Sequence, residues 1–340
     1  MENIIGEILG GLRFKRIMEF RNMAVLPISH NINYDIEYIT LKEGLDAGTL
    51  SFHETNVNGS VPELTAVNTG YLPVLILDGE ELAGAKQNRA VNTTIMIPSL
   101  SKVNIPVSCT EQGRWSYSTK TFMDSDLIMS YRIRSTRSMS VTQNLVKEVG
   151  FFSDQIELWE NIRTEALFAH ASSPTGAMRD TFEHLRPKLE DYVKAFPLIE
   201  EQNGLLVFVN GNPVGMEMIS SPDKYKLLHA KLIRSYATEA LYKEEESNVT
   251  EEMAINFIKE AAMCRFDSYP SAGLGKDYRF IGNKFVGSAL VVDGNVVHCA
   301  FFKKEQSSNE YPQEATGMLD SRRRRKFRLN RDLTNGDLVF

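Results

Sequence analysis

Cysteine is scarce in this 340-residue chain: there are three, Cys109, Cys264 and Cys299. Their odd number, wide spacing and lack of a Cys-x-x-Cys pair exclude a disulfide framework and the usual zinc patterns. Reduced thiols in a cytoplasmic setting are expected. The six histidines are equally scattered, and no two stand four residues apart, so no HExxH-type metal site is present. No stretch approaches the roughly 20 apolar residues of a membrane span. The first 20 residues carry no apolar core behind a basic start, so no secretory signal is expected. The P-loop, a Gly-x-Gly-x-x-Gly after a strand and a Gly-x-Ser-x-Gly elbow are all missing. The closest approach, Ser-Ala-Gly-Leu-Gly-Lys-Asp at 271–277, is glycine-rich and basic but lacks P-loop spacing.

The remainder is ordinary globular material, 42% hydrophobic and 24% charged. A net charge of −6 argues against general nucleic-acid affinity. One cluster breaks that average: Arg322, Arg323, Arg324, Arg325, Lys326, Arg328 and Arg331. Any nucleic-acid contact would come from this tail alone.

Hydrophobic patterning predicts an α+β fold. A short helix over 4–20, broken at Gly10 and Gly11, opens the chain. A β-rich part over 21–138 follows, with strands at 23–27, 36–41, 50–55, 63–68, 72–77, 93–97 and 103–109. A helical part over 139–305 carries helices at 140–149, 153–170 and 176–196, with Ser153 as an N-cap and Pro187 as an expected kink. It then gives a hairpin turning at Asn210 and Gly211, a helix from Pro222, another capped by Thr250, and a hairpin turning at Asp293 and Gly294. A polar, arginine-rich tail fills 306–340.

Residues 72–98 read LPVLILDGEELAGAKQNRAVNTTIMIP. Asp78 and Gly79 predict a hairpin turn. The arm returning from it is unusually polar, with Lys86, Gln87, Asn88 and Arg89. On an extended arm, Lys86 and Asn88 share one face while Gln87 and Arg89 share the other. Lys and Arg neutralise phosphates and Arg does so bidentately, while Gln and Asn read polar edges of bases or sugars. A solvated strand and loop would read the same way.

A second cluster, IPVSCTEQGRW at 105–115, ends a strand with Cys109, Glu111, Arg114 and Trp115. Glu111 is placed to act as a general acid/base, Arg114 to clamp an anion and Trp115 to stack. Cys109 is the second catalytic candidate; as a small buried apolar residue it would be inert. Four residues separate Cys109 from Arg114, not the five of the Cys-x5-Arg phosphatase loop, so that mechanism is excluded. Lys231 and Arg234 make a basic stripe on a helix, which adds Arg234 to the ligand-binding candidates. His298 reads as structural. No complete catalytic motif is present, so catalysis and binding both stay open, and no cofactor is assigned.

LDGEELAGAKQNRAVN, IPVSCTEQGRW, SDQIELW, FVNGNPVGMEMISSPDKY and GSALVVDGNVVHCAFF, in this order, resemble the ARG and Rhodanese-Phosphatase-superfamily-associated Protein domain family. The likeness covers most of 20–303. The resemblance implies a gene neighbourhood of ADP-ribosylglycohydrolases and rhodanese- or phosphatase-like proteins. It thereby implies a role near NAD or ADP-ribose metabolism, within a defence-type system. Two readings follow: a domain binding or processing a phosphorylated nucleotide-like small molecule, or a non-enzymatic assembly module for proteins encoded nearby. The resemblance supplies no catalytic residues.

Overall fold

The longest apolar runs of the sequence lie side by side. In the computed structural model, which describes residues 4–30, 36–55, 62–242 and 248–304, Met23–Ser29, Gly204–Val209, Asn212–Ile219, Asn295–Lys303 and Phe285–Val292 are neighbours in a nine-stranded antiparallel sheet. Alternation along these strands sorts their side chains. Met23, Val25, Leu205 and Val207 face a core shared with Ile133, Leu185 and Leu232 of three helices, Tyr131–Val146, Met178–Ala195 and Pro222–Ala240. Ala24, Leu26, Leu206 and Phe208 face a second core, closed by the helices Ile4–Gly10 and Glu251–Ala262. With both faces covered, these strands are buried along nearly all of their length, as continuous apolar runs require.

A six-stranded sheet runs in the order Phe122–Ile128, Glu80–Gly84, Arg89–Val91, Ser101–Cys109, Glu63–Asn68 and Leu50–Glu54. A small third sheet joins Ile95–Ile97, Val74–Ile76 and Ile39–Thr40, the last pair parallel. These two sheets share a third apolar core. Among the described residues there are seven helices and eighteen strands, an α+β fold, and Met1–Lys304 is one compact unit. The arginine-rich tail and the acidic run at 244–246 lie outside the described residues.

The hairpin predicted at Asp78 and Gly79 does not form. Val74–Ile76 pairs with Ile95–Ile97, whereas Glu80–Gly84 pairs with Arg89–Val91 and Phe122–Ile128. A tight turn does exist, closed by Glu80 N donating to Leu77 O at 3.1 Å, with Gly79 at φ +88°. It is a corner between two sheets. Asp-Gly specifies a reversal, but the arm before it is a continuous apolar run while the arm after it opens on Glu80 and Glu81, and tertiary packing selects a different partner for each. The hairpin lies one turn later, around residues 85–88. Asn210 with Gly211, and Asp293 with Gly294, do turn true hairpins, with φ positive at both residues of each pair.

Several boundaries shift for local reasons. The first helix stops at Gly10, and Arg13–Phe14 and Met18–Phe20 are short strands. After Ile39–Thr40 the chain enters the helix Leu41–Asp46, which Thr40 and Glu43 cap reciprocally. The helix expected at 140 starts at Tyr131 behind Ser130, because its early arginines mask its buried face. Asp154, not Ser153, caps Gln155–Phe168. Pro187 sits inside Met178–Ala195 without splitting it. Strands Phe122–Ile128 and Arg265–Pro270 lack the apolar signature that would announce them.

Candidate functional site

Gly84 (φ +121°) and Ala85 (φ +44°) bend the chain out of Glu80–Gly84, so Lys86, Gln87 and Asn88 occupy a turn and not an extended arm. Strand Ser101–Cys109 pairs with Arg89–Val91 through Cys109 opposite Arg89, which brings the segment after Cys109 against this turn. The two polar clusters of the sequence are therefore one network. Gln87 Nε2 donates to the Glu111 carbonyl (2.9 Å), while Gln87 Oε1 accepts from Arg89 Nη1 (2.8 Å) and the Cys109 thiol (3.0 Å). Glu111 Oε2 accepts from Arg114 Nη2 (2.6 Å) and the Asn88 N–H (3.3 Å), and Oε1 accepts from Thr175 Oγ1 (2.8 Å). Arg114 also donates to the Ala85 carbonyl (2.6 Å) and Asn88 Oδ1 (3.1 Å), closing the turn.

The charges differ in their freedom. Burial pushes the Glu111 carboxyl up, but hydrogen bonds from Arg114 and Thr175 outweigh burial and hold it below its usual value. Glu111 is thus ionised with both oxygens engaged, the state of an organising anion. Burial raises the Cys109 thiol despite the nearby Arg89 cation. Arg89 is fully buried, yet its Nε and Nη2 have no hydrogen-bond partner. Its guanidinium carbon lies 5.6 Å from the Trp115 ring centroid, and Lys86 Nζ lies 5.3 Å from the same ring and 5.4 Å from that of Tyr117. Trp115 and Tyr117 are 47% and 58% exposed, so the rings connect these cations to solvent.

Arg234 stands apart from this network and donates to Glu190 (2.8 Å) and Asp126 (3.2 Å). Glu81, which the sequence places in the same polar cluster without a role, accepts from Thr110 Oγ1 at 2.5 Å, while its Oε2 has no partner. Burial pushes its carboxyl up to about 7, against the opposing hydroxyls of Thr110 and Ser125.

A second polar assembly also went unread. Fully buried Arg134 donates to both oxygens of Glu217 (2.7 Å each) and to Asp78 from Nε (3.1 Å) and Nη2 (2.8 Å). Burial raises the Asp78 and Glu217 carboxyls, but Arg134 outweighs it and holds both below their usual range. His298 links Thr94 (2.9 Å) to Glu217 (3.4 Å), as a structural histidine would. Arg279 pairs with Asp277 (2.5 Å), and Lys231 bridges Glu80 (2.9 Å) and Asp124 (2.8 Å). Charged residues inside apolar runs, such as Glu217 in Val-Gly-Met-Glu-Met-Ile, were the available signal.

Concavities of about 60 Å³ beside Cys264 and about 260 Å³ beside Glu7 and His30 include no residue of the Arg89 network. Among the described residues no group of three or more His, Cys, Asp or Glu is arranged to hold a metal ion, and no helix is long and apolar enough to cross a membrane.

Residues 11–302 match the model of the ARG and Rhodanese-Phosphatase-superfamily-associated Protein domain, and the chain belongs to that family. The family's name places it in the context of rhodanese- and phosphatase-superfamily proteins. No curated protein and no solved structure matches the chain.

Proposed function

We propose that this family member binds a phosphorylated, ring-bearing small molecule of the nucleotide or ADP-ribose class at the turn formed by residues 85–88. The observation that carries this reading is the arrangement around Trp115. One exposed indole has two cations within 6 Å of its ring, and one of them, Arg89, is buried with two N–H groups unpartnered. Aromatic faces accept bases without sequence preference, and Lys and Arg neutralise phosphate. In this reading the ring stacks on Trp115 and Tyr117, and the phosphate meets Lys86 and draws on Arg89. Gln87, Asn88, Glu111 and Arg114 hold the turn in place. The resemblance to a family with ADP-ribosylglycohydrolase neighbours supports a setting near NAD or ADP-ribose metabolism, in the cytoplasm.

Calorimetric titration with ADP-ribose, NAD and cyclic nucleotides tests the reading. Binding is expected with at least one, and Trp115→Ala should weaken it about 5- to 150-fold, the worth of one stacked base. No heat with any of them would remove the proposal.

A non-enzymatic assembly role in a defence-type system is the second reading. It is favoured by the same exposed rings, which line neither the concavity beside Cys264 nor the one beside Glu7 and His30. Light scattering and pull-down with the products of neighbouring genes separate the two, because only assembly should be lost in Trp115→Ala without any nucleotide signal in the parent.

A further inference from the structure

Cys109 sits in a setting that neither other cysteine shares. Its backbone is gripped from both sides by one side chain: Cys109 N donates to Gln155 Oε1 and Gln155 Nε2 donates to the Cys109 carbonyl, each at 2.8 Å. Gln155 opens the helix Gln155–Phe168, and Trp159 lies one turn further on the same face. The grip therefore brings the Trp159 indole to the Cys109 sulfur, where the Arg89 guanidinium also stands. Trp159 Nε1 and Arg89 Nε and Nη2 are all shut off from solvent, and none completes a hydrogen bond. The thiol uses its own proton elsewhere, toward Gln87 Oε1 (3.0 Å) and the Glu111 carbonyl (3.2 Å).

Buried donors without acceptors are costly, and the two side chains that carry these three both lie beside Cys109. A neutral thiol gives them almost nothing to donate to. A sulfur carrying an anionic oxygen would satisfy them.

We propose that Cys109 is an oxidation site, converted by a peroxide to a sulfenate whose oxygen is held by Arg89 and Trp159. The sulfur lone pair attacks one peroxide oxygen and the O–O bond breaks. The leaving hydroxide (or alkoxide) takes the thiol proton and departs as water (or alcohol). Sulfur is oxidised by two electrons and the peroxide reduced by two. The water (or alcohol) formed in that step carries off the sulfenic proton as it leaves, and the charge stays on oxygen beside Arg89. The Glu54 carboxylate offsets part of the guanidinium charge, so the donors and not charge alone define the site. This inference draws on the same two N–H groups of Arg89 as the ligand reading but needs no nucleotide, so peroxide treatment of the nucleotide-free protein tests it apart from that reading.

The other cysteines supply internal controls. Cys299 is as fully buried as Cys109, but it sits against Met218 and Phe301 in an apolar core. Cys264 is the most exposed of the three at 8%, with Lys304 nearby. The experiment treats the full-length protein with hydrogen peroxide and follows one-oxygen gain at each cysteine by peptide mass spectrometry. Cys109 should gain oxygen first, ahead of Cys264 and well ahead of Cys299. Trp159→Phe, which removes one donor and keeps a ring, should slow Cys109 about tenfold relative to Cys264, with the urea midpoint as a check on folding. Arg89→Lys, which keeps the charge and loses the fork, should do the same. Oxidation in order of exposure, with Cys264 first, would overturn the proposal. So would a Cys109 rate unchanged in both variants.

Discussion

Replacing Arg134 with methionine is the most direct way to test how the fold is held. Arg134 makes four charge-assisted hydrogen bonds, two to Asp78 and two to Glu217, with no solvent at the guanidinium. Methionine fills much of the same volume and keeps the contact with Phe302, which lies 5.0 Å below the guanidinium. What it cannot do is balance two carboxylates in the core. Breaking a buried pair from one side costs about 3–5 kcal/mol, a large part of the roughly 5–15 kcal/mol by which a domain is stable. The loss should also depend on pH. In the native protein Arg134 depresses both carboxyls, so their contribution is present above the unfolded value near 4 and disappears as pH falls through the folded values. In the variant burial acts unopposed by Arg134, both carboxyls rise, and stability falls as pH increases. The gap between the two proteins should therefore widen from pH 4 to pH 7. Urea midpoints at several pH values, at constant m, measure it. A loss below about 1 kcal/mol at pH 7, or a gap that narrows with pH, would refute the assignment of Arg134 as the counter-charge.

Three other outcomes follow from the same physics. Lys231→Met strands Glu80 and Asp124 and should cost about 3–5 kcal/mol in urea unfolding; a neutral result would show that the bridge is solvated. Glu81 and Glu165 are buried carboxyls pushed up to about 7 and about 8, so folding should lose stability as pH rises from about 4.5 to 8, and Glu81→Gln with Glu165→Gln should flatten that slope. Gly48→Ala and Gly84→Ala both place alanine at positive φ, at about 1–2 kcal/mol each; at Gly84 the new Cβ would also lie 2.3 Å from Thr119 Oγ1 and 2.8 Å from the Thr121 carbonyl, so its melting temperature should fall further than that of Gly48→Ala, whose Cβ meets nothing within 4 Å.

Local signals in the sequence were read well where one residue type suffices. Glu63–Asn68, the Thr250 cap and the turns at Asn210 and Asp293 depend on near neighbours and are found where expected. Two kinds of feature stayed hidden. Strand partnership is one: extended arms on both sides of Asp78 and Gly79 imitate a hairpin, and only the third dimension shows that they belong to different sheets. Long-range charge pairing is the other. Arg134 meets Asp78 across 56 positions and Glu217 across 83, so no window of sequence shows a pair. The candidate site was half legible for the same reason. Its residues announced themselves as two polar clusters, but their union depends on the pairing of Cys109 with Arg89.

That pairing also explains why the segment following Glu80–Gly84 is so polar. A turn buried beneath a neighbouring loop must give every polar group a partner from within the protein. Glu111 and Arg114 do this for Asn88, Glu111 with Arg89 Nη1 and the Cys109 thiol does it for Gln87, and Thr175 completes Glu111, so the network there is closed on itself. A closed network has no need of a ligand. Arg89 is different: it sits at the same turn, deeper and more buried, and two of its N–H groups face nothing that accepts them. Within the fold the guanidinium is used only through Nη1, toward Gln87, so folding alone gives no reason for the Nε and Nη2 donors at this position. Chemistry directed at the Trp115 rings, at the Cys109 sulfur or at both does supply one.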